Sequence, residues 1–250
     1  MGTAGGSGRR TGRPRTLDPE RIVAAAREVG VAEFTMPAVA GRLGVSHSTL
    51  YRYFADRDDL SRAVIDRIVA EQAWPQPRGD WRTAVTDFAA ALWAAFAASP
   101  GLAQATWEAT TIPDAIVPVL EALAAHIVAH GFTPADAALL LDFVSDLALS
   151  TFILMSHLDR PARDTPGAPA VRETYRQGLT RLGVVGPQIP DEIWHGRGWF
   201  DEKTAIFLDG FALRRGRHRA ADRAHPVPDL AGDGAGAAPG HPPATEVEGR

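Results

Sequence analysis

Between Thr35 and Leu60 the chain reads TMPAVAGRLGVSHSTLYRYFADRDDL, and residues 46–53 of it gather hydroxyl, imidazole and guanidinium groups. Ser46, Ser48 and Thr49 can hydrogen-bond to base edges, and a threonine methyl can lie against a thymine methyl. Tyr51, Tyr53 and Arg52 can reach phosphates, with His47 beside them at the start of the run. That chemistry is the readout of double-stranded DNA. Catalysis is poorly served by the same residues. Ser48 has His47 and Asp58 nearby in sequence, but no third group to orient a base and no cleft that would supply an oxyanion hole. The chain has no cysteine, which excludes disulfides, zinc–thiolate sites, iron–sulfur clusters and thiol nucleophiles together. Its single lysine, Lys203, follows Asp201-Glu202 rather than a glycine-rich loop, so a Walker-type NTPase is excluded. No enzymatic activity, cofactor or metal is expected.

These side chains face DNA only if a short helix presents them. Asp18-Pro19 places an N-cap and a first-turn proline at the start of a helix whose apolar stripe is Ile22, Val23, Ala26 and Val29, with Gly30 as its stop. Thr35 caps a second helix, Met36 to Leu43, and Gly44-Val45-Ser46 makes a turn in which Gly44 takes a positive φ. A third helix is expected from His47 to Phe54, capped by Ser46. Val39, Ala40, Leu43, Val45, Leu50 and Phe54 then close a small core, leaving His47, Ser48, Thr49, Tyr51, Arg52 and Tyr53 outward. This is a helix-turn-helix with its second helix free to enter a major groove. Asp56 caps a fourth helix expected to run to about Trp74, where Pro75-Gln76-Pro77 stops it.

Beyond that break the apolar spacing is helical throughout, over Trp81–Ala98, Leu102–Thr111, Ile116–His130, Pro134–His157, Val171–Leu182 and Lys203–Arg214, the last capped by Asp201. Residues 189–200 are expected as loop. The fold class is therefore all-α: an N-terminal three-helix helix-turn-helix domain joined by a connecting helix to a C-terminal helical bundle. The expected divisions are a flexible basic arm (1–16), the DNA-binding domain (17–62), the bundle (63–215) and a disordered tail (216–250). Charge follows the same division. Residues 1–70 carry 11 Arg against 8 Asp and Glu, while the remainder is net acidic at −7. An anionic partner is thus expected for the N-terminal part alone. The apolar run Phe88–Trp107 is broken by Ser99-Pro100-Gly101, so no membrane span is expected. Residues 1–11 lack the apolar core of a secretory signal, which points to the cytoplasm.

Leu43-Gly44-Val45-Ser46, Thr49-Leu50-Tyr51, Tyr53-Phe54, Asp56-Arg57 and Leu60 resemble the signature of the TetR family of bacterial transcriptional regulators, over about residues 17–72. GFTPADAALLLDFVSDLALSTFIL (131–154) is similar to the ligand-binding and dimerisation region of its tetracycline-repressor subgroup. The resemblance implies a homodimeric repressor released from a palindromic DNA operator by a small-molecule effector; the alternatives are an activator or a ligand-independent DNA binder of the same fold and, outside the resemblance, a helical-bundle enzyme, against which the absent catalytic cluster argues. It implies base reading by His47, Ser48 and Thr49, and phosphate or thymine contacts by Tyr51 and Tyr53. It also implies phosphate contacts by Thr35 and by Arg57 at the start of the fourth helix. Pro37 departs from the family pattern at a position often held by a polar base reader. Gly12-Arg13-Pro14-Arg15 resembles an AT-hook core; Arg13 and Arg15 either enter a minor groove or form a solvated basic tail.

In the bundle, dimerisation is expected through 136–157 and 202–214, and a ligand pocket through Trp93, Trp107, Phe143, His126 and Asp146. His126 and His130 have a chelating spacing, but His130 at a helix end better serves the helix dipole. Asp142 and Asp146, with Ser145 between, are either a polar seam at an interface or polar groups in the pocket. The tetracycline–magnesium ligand set finds no register here, which favours a different, apolar or aromatic effector.

Overall fold

Side-chain caps set the helix boundaries in a computed structural model that describes residues 17–162, 169–181, 183, 190 and 194–224. Asp18 accepts from the Arg21 amide at 2.8 Å and starts α1, Pro19–Val29. Thr35 accepts from the Ala38 amide at 3.3 Å and starts α2, Met36–Leu43. Asp56 and Asp59 cap α4, Arg57–Ala70, from both sides: Asp56 accepts from the Asp59 amide and Asp59 from the Ala55 amide. Between them lies α3, His47–Leu50. Asp80 opens α5, Trp81–Ala98. Helix α6, Leu102–Glu108, is followed by a 3-10 turn, Asp114–Ile116, and α7, Val117–Ala129. A reciprocal capping box of Thr133 and Asp136 starts α8, Pro134–Leu158. The chain closes with α9, Val171–Thr180, and α10, Gly198–Ala224. Among the described residues there is no strand, only an isolated bridge between Pro161 and Ala170.

Helix α8 is the axis of the bundle, with α5, α6, α7, α9 and α10 packed along it. It is long and apolar enough to cross a membrane by length and composition. Its Leu140, Val144, Ala148 and Met155 are buried against neighbouring helices, while Leu139, Phe143 and Leu154 on the same helix are exposed. The N-terminal core (Ile22, Phe34, Val39, Leu50, Leu60) and the bundle core (Phe88, Leu102, Ile127, Leu140, Leu208) form one continuous cluster. Helix α4 joins them, with Leu60 and Val64 buried near its start and Ile68 and Val69 near its end. At that far end Glu71 receives Arg27 of α1 and Arg67 of α4, and these two hydrogen bonds hold its carboxyl below the usual carboxylate range.

Several boundaries differ from the sequence expectation. Helix α3 ends at Leu50 rather than Phe54: Arg52 and Tyr53 donate to carbonyls only three residues back, and Phe54 folds inward. A run of Thr, Tyr, Arg and Tyr has little intrinsic reason to hold an α-helix. Helix α4 ends at Ala70 rather than Trp74, because the Gln72 and Trp74 side chains donate to the Ile68 and Val69 carbonyls and terminate it. Helix α6 stops at Glu108 rather than Thr111, ahead of two β-branched threonines and Pro113. The last helix begins at Gly198, and Asp201 is not its cap. The Asp201 amide donates to the Arg197 carbonyl inside the first turn, and the inward stripe already starts at Phe200 and Thr204. That helix also continues past Gly216, the expected start of the tail, as far as Ala224.

Candidate nucleic-acid interface and effector cavity

The turn between α2 and α3 depends on Gly44, which sits in the left-handed region at φ 69°. There its amide and that of Val45 return to carbonyls of the last turn of α2. Leu50 is fully buried and Phe54 nearly so, which anchors the inner side of α3. His47, Ser48, Tyr51 and Arg52 are exposed around it, and the Tyr51 ring stands edge-on to His47. Ser46 occupies the cap position without capping the backbone. Its Oγ instead lies 2.9 Å from Ser48 Oγ and 2.8 Å from Thr49 Oγ1, so the three hydroxyls order one another at the helix tip. Thr49 is half-buried behind that tip. Tyr53 is partly exposed, and its hydroxyl donates to the Leu17 carbonyl at 3.0 Å, tying the end of α3 to the start of α1. Exposed Thr35 spends its oxygen as acceptor for the cap and keeps its O–H as a donor. Arg13 and Arg15 lie outside the described residues.

Arg57, expected on phosphate, makes contacts within the chain. Its Nε donates to the Phe34 carbonyl at 3.2 Å and Nη2 to the Ala32 carbonyl at 2.7 Å, while the guanidinium sits 5.1 Å from the Phe34 ring centroid. Two of its nitrogens thus brace the α1–α2 connection, while the side chain stays 37% exposed beside Asp58.

A cavity of about 580 Å3 opens among α4, α5, α6, the 3-10 turn and α8. Trp74, Phe88 and Phe96 give it aromatic walls, and Thr110 and Thr111 bring hydroxyls from the segment after α6. Asp146 lines it as expected, together with Asp142 and Ser145. The other four expected pocket residues do not. Trp93 stacks on Phe200 and meets Phe152 edge-on, which makes it part of the packing between α5, α8 and α10. Trp107 is 63% exposed on the outer side of α6. Phe143 stacks on Phe207 with ring centroids 3.7 Å apart, on the α10 side of α8. The His126 ring lies 4.4 Å from that of His130, which donates from Nδ1 to the His126 carbonyl and so caps α7. The residues missed from sequence are Trp74, Phe88, Phe96 and the threonine pair. The legible signal was Thr110-Thr111-Ile112-Pro113, which ends a helix and turns its continuation into a wall.

Two contacts tie that wall to the helix-turn-helix. Asp66 Oδ1 on α4 accepts from the Ala115 amide of the 3-10 turn at 2.8 Å. At the head of α6, Gly101 (φ 85°) presses on the Val31–Ala32 connection so closely that a Cβ there would stand 3.0 Å from the Ala32 nitrogen. Ala32 is therefore held from one side by Arg57 and from the other by Gly101.

Residues 22–64 match the family described as "Bacterial regulatory proteins, tetR family". A curated relative, the HTH-type transcriptional repressor Rv1353c of Mycobacterium tuberculosis, is 32% identical over 103 residues, which is 38% of this chain and 40% of that protein. The match thus spans about two fifths of the length of the curated relatives. Among solved structures, apo ActR from Streptomyces coelicolor superposes with a TM-score of 0.66 at 21% identity, over 81% of this chain and all of that one. ActR in complex with actinorhodin gives a TM-score of 0.59 at 21% identity, with the same coverage. At these identities the structural likeness establishes the fold.

Proposed function

We propose that this chain, which through residues 22–64 belongs to the tetR family of bacterial regulatory proteins, is a homodimeric transcriptional repressor released from a palindromic operator by a small molecule. The observation that carries this reading is the double use of α4: its first half closes the helix-turn-helix core and its second half holds the cavity wall. The name of the mycobacterial relative, a transcriptional repressor, supports the sign of regulation. ActR, which binds actinorhodin, supports a ligand in the bundle. The protein acts in the cytoplasm, with the helix-turn-helix domain over 17–62 and the bundle over 63–215.

Base contacts come from His47 and Ser48 at the tip of α3, with Thr49 behind them and Ser46 ordering both hydroxyls. Tyr51, Arg52, Thr35 and the partly exposed Tyr53 contact phosphates or thymine methyls. Arg13 and Arg15 add a contact to the adjoining minor groove. Arg57 positions the connection that carries Thr35. The effector is held by the aromatic walls and by Asp146.

Release is a shift between two bundle states. An effector that prefers the state with a displaced 110–116 segment pulls on Asp66, while α6 pushes Ala32 through Gly101. The two recognition helices of the dimer then no longer match major grooves about 34–36 Å apart. Equal affinity for both states would shift nothing. Selection from random duplexes with the full-length protein tests the reading. A palindrome whose half-sites lie about one helical turn apart should be enriched, and Ser48→Ala together with Tyr51→Ala should weaken its binding by about 1–3 kcal/mol per lost base contact. Failure to enrich any duplex refutes it.

A further inference from the structure

The cavity wall contains two charged side chains, both acidic, and no lysine, arginine or histidine. Asp142 and Asp146 stand one turn apart on α8, on the same side as Leu141, Ser145 and Leu149, which also line the cavity. Like charges at this spacing repel each other within a helix. Neither has an ion-pair partner among the described residues. Asp136 on the same helix shows the contrast: it is buried, bonded to the Thr133 hydroxyl and paired with Arg214 at 2.9 Å. A pair of uncompensated carboxylates bordering an aromatic cavity attracts one kind of occupant and repels its opposite.

We propose that the cavity takes a lipophilic cation, meaning an aromatic or aliphatic body carrying a protonated amine, quaternary ammonium or phosphonium centre. The body lies against Trp74, Phe88 and Phe96, and the charge sits beside Asp142 and Asp146. Aromatic faces add to the attraction, because their ring quadrupoles favour a cation over an anion. This inference rests on the cavity being the effector site, and three probes keep the two claims apart. Tetraphenylphosphonium and tetraphenylborate have nearly the same shape and opposite charge. Nile red is uncharged and reports apolar surroundings by its fluorescence.

The test titrates each ion against Nile red bound to the full-length protein, then repeats the titration with Asp142→Asn and Asp146→Asn combined. These substitutions keep size and shape at exposed positions, so the fold is retained. The cation should displace Nile red at a concentration about tenfold or more below that needed for the anion. In the double variant that preference should disappear, both ions being compared at the Nile red affinity measured for that variant. Displacement by the anion at equal or lower concentration, or a preference that survives both substitutions, overturns the cation assignment while leaving the cavity reading intact. If neither ion nor Nile red binds, the effector-site reading falls as well.

Discussion

Arg57 stands at the first position of α4, where a cation would be expected to meet DNA phosphate, yet its two hydrogen bonds go to carbonyls at positions 32 and 34. Charge-assisted hydrogen bonds of this kind stabilise by about 1.5–3 kcal/mol, and truncation leaves both acceptors without their donor. Arg57→Ala should therefore lower the stability of the helix-turn-helix by an amount of that order, measured by urea unfolding. Below the unfolding transition, where the variant is folded, the slope of log affinity against log salt should stay unchanged, whereas a lost phosphate contact would reduce it by about one unit. A reduced slope with unchanged stability would return Arg57 to the DNA surface. Sequence could not separate the two roles, because both use an arginine at a helix N-terminus; what decides is the inward turn of Val31–Phe34, a tertiary feature. The exposed tip of α3 was legible for the opposite reason. Leu50 and Phe54 had to be buried, and with that inner side fixed His47, Ser48, Tyr51 and Arg52 had nowhere to go but outward.

Helices α4 and α6 carry the coupling, and each can be tested by one substitution. Asp66→Ala removes the acceptor for the Ala115 amide, so the cavity wall and α4 lose a bond without loss of apolar packing. Operator affinity without effector should hold, while the effector-induced loss of affinity should shrink by part of a coupling energy that is typically about 1–3 kcal/mol. A gel-shift titration with and without a cavity ligand measures both quantities, and an undiminished ligand response would remove Asp66 from the pathway. Gly101→Ala tests the second contact. At φ 85° an L side chain costs about 1–2 kcal/mol, and its Cβ would press on the Ala32 backbone. Urea unfolding should register that loss, and a neutral result would mean that the α6 head and the α1–α2 connection move apart freely. The existence and order of these helices followed from apolar spacing and caps, but the ends that matter did not. Trp74 and Gln72 cap α4 through side-chain bonds to its own last carbonyls, and Thr110-Thr111 leave α6 early to wall the cavity. The misplaced pocket residues have a related cause: on an apolar helix such as α8 nearly every position is hydrophobic, so periodicity does not say which side meets the cavity and which meets α10.

Two sides of α8 are accounted for within one chain, by the core and by the cavity, and the third is not. Leu139, Phe143 and Leu154 are each at least 40% exposed there. Helix α10 adds Ile206 at 70% and Leu213 at 65%, and the Phe143–Phe207 stack joins the two helices into one apolar surface. Gly210 lies between Ile206 and Leu213 with open space where a side chain would be. A glycine in mid-helix costs about 0.5–1 kcal/mol relative to alanine, a cost with no return inside the monomer and a clear one if a second helix packs closely there. A patch of this kind marks an interaction site, and in the proposed dimer a closed two-fold pair of α8 and α10 would bury it. Ile206→Asp combined with Leu213→Asp should therefore yield a folded monomer in sedimentation velocity, with helix content retained by circular dichroism. Because linked half-sites bind through effective concentration, operator affinity should fall by about a hundredfold or more even though every DNA-facing residue is intact. Trp107→Ser, on the outer side of α6, is the control: it also removes a large exposed apolar group and should leave the dimer unchanged. If the double variant still sediments as a dimer, the two-fold contact lies elsewhere, and the spacing of the recognition helices must be set by a different surface.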